Sequence, residues 1–109
     1  MRAGSDAVEI VTVSPDRVAI RGALTFRTAR RAREAAMRAL DESTAQTLEV
    51  DCADVKESDS AGLAVLLNWM ARAQRLGRGL KFSNLPAEIH ALARISDVDE
   101  IVEAGTLAE

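Results

Sequence analysis

The residues best placed to do chemistry are Asp59 and Ser60, in the stretch Glu57-Ser58-Asp59-Ser60-Ala61-Gly62-Leu63, where a polar turn gives way to an apolar run. A short side-chain oxygen at Ser58 or Asp59 can cap the helix that follows by accepting from a first-turn N–H. Ser60 then lies at the cap or in the first turn. A hydroxyl there suits phosphorylation, because unpaired N–H groups and the positive end of the helix dipole favour added negative charge. Three readings of Ser60 stand together: a phosphoryl acceptor, a residue of a partner-facing surface, and a structural cap. Asp51, Asp54 and Asp59 lie close in sequence and could suggest an acidic Mg²⁺ pocket. No lysine or second-strand acid is placed to complete one, and Asp is an ordinary turn former, so no metal and no cofactor are expected.

Other chemistries find less support. No base lies near Ser60 in sequence, the single histidine, His90, is far along the chain, and there is no phosphate loop of the P-loop type. A non-enzyme is therefore expected. One cysteine, Cys52, excludes an internal disulfide and reads as a small buried core residue. A net charge of −3 and aromatics limited to Phe26, Trp69 and Phe82 argue against nucleic acid.

The chain must position this turn with 109 residues, which fits a single domain over residues 1–109 with its core at about 7–103. The apolar runs are too broken for a transmembrane span, and residues 1–6 lack a signal-peptide apolar segment, so a cytoplasmic protein is expected. Alternation predicts strands over 7–13 and 17–22, joined by a hairpin at Ser14-Pro15-Asp16, with a loop over 22–25. Helical spacing follows from Phe26 to Asp41, with Ala29, Ala32, Ala36, Met37 and Leu40 on one face. Its other surface carries Arg27, Arg30, Arg31, Arg33 and Arg38, either a solvated face or a patch for an acidic partner or lipid headgroups.

A strand over 47–52 leads to the central turn and a helix from Ser60 to about Leu76, ended by Gly77. Leu63, Leu66, Leu67, Met70, Ala71 and Gln74 form its expected core stripe. Gly62, Val65, Trp69, Ala73 and Leu76 form a second stripe nearly opposite, which the chain itself, a second copy in a homodimer, or a partner must cover. Trp69 is thus an interface anchor or a second core contact. A strand over 79–83 and a helix begun at Pro86 follow, the latter packing through Ile89, Leu92, Ala93 and Ile95. A last short strand is expected within 97–102, and residues 103–109 read as a fraying tail. Alternating strands and helices after a hairpin predict an α/β fold with a mixed sheet and right-handed crossovers.

At Asp59-Ser60-Ala61-Gly62-Leu63, with this element order on either side, the chain resembles the STAS family of sulfate transporters and anti-sigma factor antagonists. The resemblance runs from the first strand to Val102 and implies a small mixed sheet with helices packed mainly on one face. It matches Ser60 to the serine reversibly phosphorylated in the antagonists, with Asp59 and Gly62 as that serine's neighbours. The antagonist form commonly reads Asp-Ser-Ser-Gly-Leu-Gly, where this chain has Ala61 and Ala64. With Gly62 to Leu67, Gly79 to Pro86 and Ile89 to Ala93, it looks more like the stand-alone STAS subunit of the Mla phospholipid transporter. That likeness implies a protein peripheral to the inner membrane, binding the cytoplasmic ATPase of an ABC complex that maintains outer-membrane lipid asymmetry. Ser60 and the start of its helix, Asp59, Ala61 and Gly62, would then face the partner, with Val65 and Trp69 of the second stripe as further candidate partner-binding residues. The antagonist alternative implies an anti-sigma factor kinase as partner.

Overall fold

The computed structural model describes residues 7–105. β1 (Val8–Ser14) and β2 (Arg17–Leu24) form the expected antiparallel hairpin, and β2, β3 (Thr47–Ser58) and β4 (Gly79–Ser83) run parallel in the order β1-β2-β3-β4. Each parallel step moves to the next strand in the same direction. Right-handed crossovers therefore carry both connecting helices, α1 (Ala29–Glu42) and α2 (Ser60–Arg75), to one face of the sheet. They also bring both helix starts to the same end, beside the carboxyl ends of β2 and β3. β3 runs past Cys52 to Ser58 because its polar second half still pairs with β2, through register shifts after Ala19 and Gly22.

α2 is the central helix, flanked by α1 on one side and α3 (Ala87–Ile95) on the other, above β3 and β4. That position reverses the expected ranking of its two stripes. Gly62, Leu63, Val65, Leu66, Trp69 and Ala73 are buried, while Leu67 and Met70 are half-buried and Ala71 and Gln74 exposed. The chain itself covers most of the second stripe, so Gly62, Val65 and Trp69 belong to the core and not to an exposed interface; Leu76 alone stays exposed. Trp69 has 0% exposure and meets Phe82 edge-on, ring centroids 6.4 Å apart. Its indole Nε1–H finds no acceptor among the described residues. Gly77, at φ +69°, ends α2 as expected, with the Arg78 N–H returning to the Ala73 carbonyl at 2.9 Å.

Two expectations near the C-terminus are corrected. Ile95 is 81% exposed, because α3 turns only Ile89, Ala93 and part of Leu92 inward. The segment read as a strand within 97–102 is instead a short helix, α4 (Asp99–Ala104), begun by Asp99 and Glu100 in its first turn and anchored by buried Val102. Glu103 and Ala104 are therefore helical, and residues 106–109 of the expected tail lie outside the described residues. The Gly105 carbonyl then accepts from the Phe82 N–H at 2.6 Å, which partly covers the β4 edge.

The sheet face away from the helices is polar. Arg17 pairs with Glu49 and, at 3.0 Å, with Asp51; the Ser83 hydroxyl donates to Glu49 and Asn84 Nδ2 to Asp51. Asn84, the Ala53 N–H and Arg17 together hold the Asp51 carboxyl below the usual carboxylate range, against a smaller opposing effect of burial. On the opposite face, burial pushes the Cys52 thiol up to about 12, helped by the Asp51 charge, so it stays protonated and inert.

Two stability measurements follow from this packing. Trp69→Ala should cost about 3–5 kcal/mol by urea denaturation. Trp69→Phe should cost roughly half of that or less, since it keeps the ring and removes a buried N–H that has no acceptor. Because the folded Asp51 pKa is depressed, its stabilisation is present above the unfolded value of about 4 and is lost as pH falls through the folded value. Denaturation midpoints measured from pH 5 down to 2.5 should therefore fall less steeply for Asp51→Asn than for the wild type.

Candidate functional site

The site is built at the carboxyl ends of β2 and β3, where their two crossover helices begin. Asp59 is the N-cap of α2, with extended backbone at φ −148°. Its Oδ1 accepts from the N–H groups of Ala61 at 2.9 Å and Gly62 at 3.2 Å, and its carbonyl accepts from Leu63 N–H at 3.1 Å. Asp59, not Ser58 or Ser60, thus does the capping. Its Oδ2 accepts from the Phe26 N–H at 3.1 Å, and its own N–H donates to the Leu24 carbonyl at 3.3 Å. One residue therefore ties the start of α2 to the loop between β2 and α1.

Gly62 explains itself by the same closeness. A Cβ at that position would lie 2.1 Å from the Leu24 carbonyl oxygen, a distance no side chain tolerates. Glycine lets α2 settle onto the end of β2. Gly62 and Val65 support the surface from beneath, and Ser60, the first residue of α2, is exposed upon it. Ala61 is half-buried and Ala64 exposed.

The neighbouring loop carries a residue that periodicity hid. Phe26 was expected inside a helix, yet α1 starts only at Ala29. Thr28, with 0% exposure, stops it from starting earlier: its Oγ1 accepts from the Thr25 N–H at 3.0 Å and donates to the Ala23 carbonyl at 2.7 Å. The resulting turn leaves Phe26 71% exposed beside the Asp59 carboxylate, with the Arg27 guanidinium 5.4 Å from its ring centroid. An aromatic flanked by Thr25 and Arg27, at the head of a basic run, was the available signal.

The three acids do not converge. Asp51 is engaged on the open sheet face, Asp54 pairs with Arg21 at 3.7 Å, and Asp59 caps α2. His90 is half-buried on α3. On the other side of the turn, Ser58 Oγ donates to Glu88 at 3.1 Å, linking the end of β3 to α3. Chemically, the arrangement presents a hydroxyl on a rigid platform. Because the Ala61 and Gly62 N–H groups are already taken by Asp59, Ser60 does not stand over an open anion cradle.

The mixed sheet, helices on one face and Asp-Ser-x-Gly turn define a STAS domain. A family model described as "Mlab, STAS domain" matches residues 11–103, and the chain belongs to that family. Similar solved structures show the same fold. The phosphorylated form of the Bacillus cell fate determinant SpoIIAA has a TM-score of 0.67 at 16% identity, covering 93% of this chain and 89% of that one. A Thermotoga maritima protein described as a putative anti-sigma factor antagonist has a TM-score of 0.71 at 14% identity, covering 99% and 92%. A sulfate transporter family protein from Wolinella succinogenes has a TM-score of 0.65 at 18% identity, covering 93% and 84%. No curated protein sequence matches the chain.

Asp59→Asn should separate the two jobs of this carboxylate. Its amide oxygen can still cap α2, while its NH2 group would face the Phe26 N–H, donor against donor. The expected outcome is a loss of about 1 kcal/mol or less in stability, with hydrogen exchange of the Phe26 amide at least tenfold faster; Asp59→Ala should lose about 1–2 kcal/mol as well.

Proposed function

We propose that this chain is a non-catalytic docking subunit that binds the cytoplasmic ATPase of an inner-membrane ABC phospholipid transporter and stabilises one of its arrangements. The observation that carries the reading is the family match together with an exposed Ser60 that has no capping duty, since Asp59 holds the helix start. A surface serine freed from structural work and mounted on a rigid turn is suited to recognition. Ser60, Ala61 and the rim of Asp59 form the contact in this reading, with Gly62, Val65 and Trp69 as its support. The protein would sit at the inner membrane through its partner and contribute to outer-membrane lipid asymmetry. It acts, in this reading, by binding one arrangement of the ATPase more tightly than others.

A second reading is favoured by the likeness in fold to SpoIIAA in its phosphorylated form. Here Ser60 is the phosphoacceptor of an anti-sigma factor antagonist and the partner is its kinase. Phosphorylation would add about two negative charges beside Asp59 and change the docking surface.

Affinity purification from native membranes and cytosol, with mass spectrometry of the Ser60 peptide, separates the two. An ABC ATPase with its permease and an unmodified Ser60 supports the transporter reading; a small serine kinase and a phosphorylated Ser60 replaces it with the antagonist reading. Ser60→Asp should leave the melting temperature within about 2 °C, because an acid is well placed in a first helical turn, and should weaken ATPase binding at least tenfold.

A further inference from the structure

α1 carries its charges against its own backbone. Residues 27–33 hold Arg27, Arg30, Arg31 and Arg33 and no acid, while Glu34 follows directly and the later part of α1 mixes Arg38 with Asp41 and Glu42. The first turn has no acid, the last turn no base, and the N-cap Thr28 gives no side-chain cap. Helix stability alone favours the opposite pattern, since the amino end is already positive. All four side chains are exposed. The chain as a whole is acidic, at −3, so this concentration of positive charge is local.

The basic end of α1 adjoins the Ser60 surface. Phe26 stands at its tip, fixed by the Asp59 carboxylate that also caps α2, and Arg27 lies against the Phe26 ring. The site therefore continues from Ser60 and Ala61 across one exposed aromatic to a block of guanidinium groups.

We propose that this block receives an acidic segment of the partner protein, with Phe26 entering an apolar socket and Arg30 and Arg33 pairing with carboxylates around it. The inference rests on the reading of Ser60 as a docking residue and adds the chemistry of the surface that docks. A protein segment fits better than an anionic lipid surface because the exposed side of α1 is not uniformly basic: Glu34 lies one turn from Arg30, and Glu42 and Asp41, the latter paired with Arg72, close the helix. A planar negative surface would meet those carboxylates as well, whereas a short acidic segment needs to engage only residues 27–33. An exposed aromatic with an arginine against its ring is also the form an interface anchor takes. Steering by this charge makes association fast and sensitive to salt.

The test uses the ABC ATPase from the same organism as probe, titrated calorimetrically with the wild type, Arg30→Glu/Arg33→Glu, Phe26→Ala and Ser60→Asp at about 50 and 500 mM salt. The double charge reversal places acids in the first turns of α1, so it should melt at or above the wild-type temperature. The expected result is a loss of at least tenfold in affinity for each of the three variants, with wild-type binding falling at least tenfold at the higher salt. Loss of binding in Ser60→Asp alone, with the charge-reversed protein binding as the wild type does, overturns this inference and leaves the docking reading standing. Absence of wild-type binding overturns both. Wild-type binding to phosphatidylglycerol vesicles that is abolished by the charge reversal, with ATPase binding unaffected, overturns the inference in favour of a lipid occupant.

Discussion

The arrangement of the site depends on the Asp59 carboxylate. One oxygen takes two N–H groups at the start of α2 and the other takes the Phe26 N–H from a loop 33 residues earlier in the chain. A helix start needs some acceptor for its orphan donors, and many residues could supply one. What distinguishes Asp59 is that its second oxygen joins the two crossover connections that the parallel sheet has already brought to the same end. Gly62 completes the junction by letting α2 approach the Leu24 carbonyl to a distance that excludes a Cβ. Ser60 is then held in place by the junction that the Asp59 carboxylate makes between two elements.

Much of the scaffold was legible because the sheet and the long helices have different periods. Alternation marked both hairpin strands, and the stop at Gly77 and the short strand over 79–83 were found where the structure has them. The STAS resemblance agrees with the family match over residues 11–103. What escaped was information held between elements. The polar half of β3 is a strand only because β2 is there to pair with it, through irregular register. The choice between the two apolar stripes of α2 depended on whether helices would flank it on both sides, and Trp69 went to the core when they did. Residues 99–104 form a helix too short for periodicity to declare, anchored by the burial of Val102.

The site was legible in its residue types and less so in its roles. Asp59-Ser60-x-Gly62 announced a helix start, but either Ser58 or Asp59 could have capped it, and the sequence does not show which oxygen reaches which donor. Phe26 was missed because the spacing of Ala29, Ala32 and Ala36 extends smoothly back to it. The Thr28 hydroxyl, bonded at both ends of the turn, interrupts a helix that periodicity alone would have continued.

A platform built in this way constrains how it can work. The loops carrying Ser60 and Phe26 share one carboxylate, α2 is buried on several sides, and Ser58 is tied across to α3. Moving Ser60 relative to Phe26 would break the hydrogen bonds that join Asp59 to the Phe26 N–H and the Leu24 carbonyl. In the docking reading proposed above, such a surface favours the partner shape that complements it, so its binding free energy would fall on whichever arrangement of the partner presents that shape. A rigid domain of this kind needs neither a moving part nor a reactive group to regulate a larger machine. Differential affinity is sufficient, and its size sets the limit on how far the partner's equilibrium can be shifted.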